Sequence, residues 1–177
     1  MAKWMKRLAL LSSALCVTFA VLHTCADSSL YLPFAITFGT TAYHFLMRLA
    51  VGFAFDKLMD NKADYTRPWF RVREWEKRLY RFLRVKRWKN RVPSYDPTLF
   101  SPDKHTWDEI AQAMCQAELV HETIVILSFL PLVLSLRWGT LGVFAITSVC
   151  AAALDLSFVF IQRFNRPRIL RLTEHKH

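Results

Sequence analysis

Residues 118–162 read ELVHETIVILSFLPLVLSL, then RWG, then TLGVFAITSVCAAALDLSFVFIQ. Two apolar runs, 118–136 and 140–162, are joined by the short turn Arg137-Trp138-Gly139. Each run is close to the roughly 20 residues a helix needs to cross a bilayer. A second pair of runs lies upstream, at 8–26 and 30–55, parted only by Asp27-Ser28-Ser29. The sequence therefore predicts an all-α integral membrane bundle of about four transmembrane helices, built as one membrane domain over 1–177.

Composition agrees with that reading. Hydrophobic residues make up 53% of the 177 residues, and the formal charge is +10. A soluble chain this basic is seldom this apolar. A membrane protein is both, because its apolar residues gather in spans and its charges in the connections. The bases flank the apolar runs, which favours lipid head groups and anionic small ligands as partners. No nucleic-acid recognition motif accompanies them, so no nucleic-acid partner is expected. Cys16, Cys25, Cys115 and Cys150 form no C-x-x-C pair and read as small apolar residues, with neither a disulfide framework nor a zinc site.

Residues 8–26 follow Lys3, Lys6 and Arg7 and admit two readings. One is a signal peptide ending at Thr24-Cys25-Ala26. The other, favoured by the very short link to the next run, is a retained first span. Charge sets the orientation. The N-terminus, residues 56–117 and the tail 163–177 hold nearly all the Lys and Arg, and the two short turns hold almost none. Both termini and the middle segment are thus expected in the cytoplasm of a bacterial-type cell membrane, an arrangement that an even number of spans satisfies.

Within the middle segment, Thr66 and Pro68 mark a helix start. Trp69, Val72, Trp75, Leu79, Phe82 and Leu83 then recur at spacings of three and four among Arg and Lys. This predicts one amphipathic helix over 66–91 lying in the membrane interface. The other reading packs its apolar face on the protein's own core. A loop with Pro93, Pro97 and Pro102 follows, and Thr106-Trp107-Asp108-Glu109 has the form of a capping box that starts a helix running into the third span.

Ionisable residues inside spans are costly and mark functional sites. Glu118, His121 and Glu122 share one helical face, as do Gln162, Asn165 and Arg166, while His44 and Arg48 lie four apart in the second span. Residues equidistant from the turn at 138–139 lie level on antiparallel helices, which sets Asp155 beside Glu122. His44, Arg48, Glu118, His121, Glu122 and Asp155 are therefore expected to converge about 10 Å inside the cytoplasmic boundary. The plainer alternatives are a structural ion pair for Arg48 and topological anchoring for Arg168 and Arg171. Glu-x-x-His occurs once, without the second copy a di-iron bundle needs, and position 125 is Val where a zincin has His. No metal site is expected.

Three blocks carry a resemblance. They are Arg87-Trp88-Lys89-Asn90-Arg91-Val92-Pro93, Ala117-Glu118-Leu119-Val120-His121, and Ile161-Gln162-Arg163-Phe164-Asn165-Arg166-Pro167-Arg168. In order and spacing the chain resembles the glycosyl-4,4′-diaponeurosporenoate acyltransferases over roughly residues 66–172, and residues 8–55 depart from that pattern. The resemblance implies transfer of a fatty acyl group to a sugar hydroxyl of a membrane glycolipid in carotenoid glycolipid synthesis. His121 is then the expected general base, with Glu118 or Glu122 orienting its other ring nitrogen. Gln162, Asn165 and Arg166 would donate to the carbonyl oxygen as it gains charge. Lys89, Arg91 and Arg163 would meet the phosphates of the donor, with Arg48 and Asp155 completing the substrate site. No cofactor is expected beyond an acyl-thioester co-substrate, acyl-CoA or acyl-carrier protein. A glycolipid acceptor and association with enzymes of the same pathway complete the expected partners. The competing classes are a membrane scaffold, which leaves the buried carboxylates unexplained, and a small transporter, which would favour broken helices or repeats.

Overall fold

Helices form where the apolar runs and the capping residues place them. The computed structural model describes residues 2–92 and 97–174, so Pro93 and the last three residues of the tail lie outside the described residues. The α-helices are α1 (Ala2–Cys25), α2 (Leu32–Met59), α3 (Glu74–Phe82), α4 (Val85–Trp88), α5 (Trp107–Leu127), α6 (Ser135–Trp138) and α7 (Leu141–Glu174). No strand occurs among the described residues. The capping box forms as expected: the Glu109 amide donates to Thr106 Oγ1 at 3.2 Å, and the Thr106 amide donates to Glu109 Oε2 at 2.8 Å. Reciprocal satisfaction of these donors starts α5, which runs unbroken into the apolar region.

Three stretches are long and apolar enough to cross a membrane: Lys3–Cys25, Trp107–Trp138 and Leu141–Thr173. The expected count was about four. The difference is α2, which has the length but is diluted by Thr37, Thr40, Thr41, His44 and Arg48. The helix that holds the run 140–162 continues to Glu174, so residues 163–174 of the basic tail are helical.

The single helix expected over 66–91 is broken up. Pro68–Phe70 is a 3-10 turn, and Arg71 and Arg73 are extended. α3 starts at Glu74, where the Glu76 carboxylate reaches back to the Arg73 amide at 3.2 Å. It stops because Arg84 takes a left-handed conformation, with φ of 51°. Such a residue costs roughly 1–2 kcal/mol. The turn lets Val85 become fully buried and brings the Trp88 indole N–H to the Leu83 carbonyl at 2.9 Å, covering an acceptor left over at the end of α3.

The chain folds as two compact units. The first comprises residues 1–53 and 123–154. Within it Phe19 stacks on Phe34 and Phe38 at 5.2 and 5.6 Å, and Tyr43 donates to the Leu127 carbonyl at the end of α5. Arg48 donates to the carbonyls of His44 and Ala151 at 3.0 and 3.1 Å. Large apolar side chains such as Leu10, Val17, Ile126 and Ile146 are exposed, the pattern of helices that face lipid.

The second unit comprises residues 54–122 and 155–177. A small apolar core of Ala63, Phe70 and Cys115 is packed by Met59, Tyr65 and Leu119. Tyr65 donates to Asp108 at 2.6 Å, and Gln116 accepts from the Asn61 amide at 2.8 Å, so the segment after α2 is tied to the start of α5. These ties bring α3, the first half of α5 and the last part of α7 together around buried charge.

Candidate active site

The second unit holds an ionic knot centred on Glu118, which is fully buried. A lone carboxylate there would cost several kcal/mol. Arg163 Nη1 donates to Glu118 Oε1 at 2.5 Å, and Arg166 Nη2 donates to Oε2. Arg163 also grips Glu76 with two parallel bonds, Nε to Oε2 at 2.7 Å and Nη2 to Oε1 at 2.9 Å. Its remaining N–H groups donate to the carbonyls of Trp69 and Arg71, each at 3.2 Å. All five of its donors are thereby used. Arg166 donates from Nη1 to the Phe70 carbonyl at 2.8 Å and lies over the Phe70 ring at 5.0 Å. Only its Nε is buried without a partner.

Glu76 completes the knot. Burial alone would raise its pKa. Hydrogen bonds from Arg163, from Tyr80 at 2.8 Å and from the Arg73 amide outweigh burial and hold the carboxyl below its ordinary 4.5. Tyr80 moves the other way: burial and donation to the Glu76 carboxylate both hold its phenol protonated.

His121 stands apart from the knot. Its Nδ1 lies 2.9 Å from Asp155 Oδ1, and its ring stacks on Phe158 at 4.5 Å with planes 9° apart. Asp155 is almost fully buried, whereas His121 keeps part of its ring accessible. A buried carboxylate on Nδ1 favours the tautomer with the proton there, which leaves Nε2 as a lone-pair acceptor. Nε2 has no hydrogen-bond partner among the described residues. The ring is thus fixed by a carboxylate at one edge and an aromatic face, with its basic nitrogen free.

Other expected site residues fall into place around these two groups. The carboxylate on His121 Nδ1 is that of Asp155, where Glu118 or Glu122 was expected: Glu118 is taken up by two arginines, and Glu122 accepts from the Trp69 indole at 3.0 Å. Counting from the turn set Asp155 level with Glu122, and the structure joins it to the preceding residue. Arg163 was expected to meet phosphates but has no donor left. Arg166 was expected to stabilise a carbonyl oxygen but is committed to Glu118 and Phe70. Lys89 donates to Asn165 Oδ1 at 2.6 Å and lies over the Phe164 ring at 5.4 Å. Burial, then the charges of Arg168 and Lys86, hold the Lys89 ammonium below its ordinary pKa. Arg91 is exposed on the turn that follows. Gln162 is half-buried and makes no hydrogen bond among the described residues; it lies one helical turn beyond Phe158 on the same face of α7. His44 and Arg48 belong to the first unit.

Glu76, Phe158 and three backbone carbonyls were missed in the sequence. Glu76 sits among Glu74, Lys77 and Arg78, so it reads as one more water-facing charge, although its place three residues after Arg73 is a capping spacing. Phe158 was recoverable, since it follows Asp155 by three and shares its face. The carbonyls of Trp69, Phe70 and Arg71 carry no signal in residue identity at all. Among the described residues no group of three or more His, Cys, Asp and Glu side chains is arranged to hold a metal ion.

Fold and site together define an all-α protein with three stretches long and apolar enough to cross a membrane and a part-accessible histidine bonded to a buried carboxylate. The family model for glycosyl-4,4′-diaponeurosporenoate acyltransferase matches residues 66–175, which include the ionic knot, the histidine pair and the Lys89–Asn165 contact. The chain belongs to the glycosyl-4,4′-diaponeurosporenoate acyltransferase family and is an acyltransferase. No curated protein and no solved structure matches it.

Proposed function

We propose that the chain is a membrane-embedded enzyme that moves a fatty acyl group from an activated thioester to a sugar hydroxyl of a glycolipid, such as a glycosylated carotenoid. The observation that carries this is the His121–Asp155 pair with Nε2 free. Nε2 takes the proton of the acceptor hydroxyl as its oxygen attacks the thioester carbonyl. Asp155 holds the imidazole and stabilises the imidazolium that forms. The Gln162 amide is the donor best left to meet the carbonyl oxygen as charge builds. The carbon–sulfur bond then breaks, and the imidazolium returns its proton to the departing thiolate. An ester and a free thiol result, and His121 is restored.

The apolar spans supply the setting for such lipid substrates. Around residues 66–91, Trp69, Trp75 and Phe82 are more than half exposed while Glu76 and Tyr80 are buried. Exposed aromatics flanked by Arg and Lys suit the head-group layer of a membrane, with this face and both termini on the cytoplasmic side.

The test compares lipid extracts by mass spectrometry from cells lacking the gene and complemented with wild type or His121→Ala. The expected outcome is a glycolipid lighter by one acyl group in both the empty and the His121→Ala strains. In a purified assay His121→Ala is expected to lose about 10²- to 10⁴-fold in rate. Full activity in His121→Ala would remove the histidine from the chemistry, and a lipid profile indifferent to the gene itself would favour a scaffold.

A further inference from the structure

The second unit also carries a cleft of about 350 Å³ between α3 and the last turns of α7. Its rim bears Lys77, Arg81, Arg168 and Arg171, with Glu74 as the one exposed carboxylate. Glu74 is already paired with Lys77 at 2.6 Å. Arg163 also lines the cleft but is neutralised by Glu76 and Glu118. Among the described residues, Arg81, Arg168 and Arg171, all exposed, form no ion pair with a carboxylate. Among the described residues Arg171 spends only its Nε, on the Pro167 carbonyl at 3.2 Å, and Arg168 lies over the Phe164 ring at 5.2 Å. Val72, Phe164 and Pro167 give the same cleft an apolar wall.

Guanidinium forks over an apolar wall suit a ligand that joins several phosphate oxygens to a flat ring. Distance narrows the class further. Asp155 and Arg168 lie on one helix, thirteen residues apart, or about 20 Å along its axis. A donor that used both places needs its phosphates and its thioester at opposite ends of a long arm. We infer that this cleft binds the nucleotide-phosphate end of a phosphopantetheine-type acyl thioester, with Arg81, Arg168 and Arg171 as the phosphate contacts. This rests on the thioester-dependent reading above and replaces Arg163 and Lys89 as the residues that meet the donor's phosphates. An anionic phospholipid head group shares the phosphate chemistry but lacks the flat ring and the long arm.

The experiment measures coenzyme A binding calorimetrically to the purified chain in phosphatidylcholine nanodiscs. Single changes Arg168→Gln and Arg171→Gln are expected to weaken binding about fivefold each and the pair about 20-fold. Arg168→Lys, which keeps the charge, is expected to retain most of the affinity. Higher salt is expected to weaken wild type more than the double variant. Because His121 is far from the cleft, His121→Ala is expected to bind coenzyme A within about twofold of wild type. That separates the two proposals: binding can persist where the base assignment fails, and be absent where it holds. Unmeasurable coenzyme A binding, or equal binding by wild type and the double variant with unchanged thermal midpoints, overturns the inference. So does a double variant that keeps its coenzyme A affinity and loses only its preference for phosphatidylglycerol nanodiscs.

Discussion

Glu118 and Asp155 are both carboxylates in apolar helices and both are buried, but their company differs. Glu118 receives two guanidinium groups. Asp155 has an imidazole among its partners, and a neutral imidazole keeps one ring nitrogen as an acceptor. A carboxylate between permanent cations has nothing to exchange, so its energy goes into holding α5, α7 and the Trp69–Arg71 segment together. A carboxylate on a histidine has a partner whose charge can change during a reaction. Burial and charge alone would make the two residues equivalent; under the proposed mechanism the histidine on Asp155 is the difference.

The sharpest way to break that comparison is to remove the two carboxylates in turn. Glu118→Ala is expected to destabilise the protein by about 3–5 kcal/mol, because Arg166 is left buried and charged. Glu118→Leu combined with Arg166→Leu is expected to cost much less than the sum of the single changes, since no lone charge remains. Thermal unfolding of purified protein measures both. A double variant as damaged as the sum would mean that the knot is not a coupled unit.

Asp155→Asn is the matched change at the other carboxylate and is expected to leave the fold standing. Its effect falls on rate. Without the carboxylate the ring loses its tautomer preference and the imidazolium loses its counter-charge, and a fall in kcat of about 10²-fold, or roughly 2.7 kcal/mol, is expected. KM for the donor is expected to stay within about threefold. A purified acyl-transfer assay with a melting curve decides it. Lost stability with normal residual kcat would make Asp155 another Glu118.

Much of this contrast was legible in the sequence, but not its assignment. The apolar runs, the shared faces and the count from the turn set Glu118, His121, Glu122 and Asp155 at one depth with His44 and Arg48, while Arg163 entered only through the resemblance. Helical spacing says which side chains share a face and is silent about what stands across from them. Orientation of His121 was therefore assigned to its neighbours on α5, when the partner sits on α7. The break at Arg84 was hidden for a related reason. Nothing local forces a left-handed arginine there; burial of Val85 and the Trp88 bond do, and both are tertiary.

Glu76 sharpens the comparison with the smallest effect, because it belongs to the knot yet can be titrated. Its folded pKa is held below the ordinary 4.5, with burial opposed and outweighed by Arg163, Tyr80 and the Arg73 amide. A depressed carboxyl contributes stability that is fully present above the unfolded value. That stability is lost as pH falls through the folded one. Unfolding midpoints are thus expected to drop as pH is lowered below about 4.5. Glu76→Gln is expected to lose about 1–3 kcal/mol at neutral pH, the range for hydrogen bonds to a charged group, and to show a flatter decline in acid. If Glu76→Gln kept the wild-type acid slope, the pH dependence would belong to other carboxylates, and Glu76 would hold Arg163 in place without storing pH-sensitive stability.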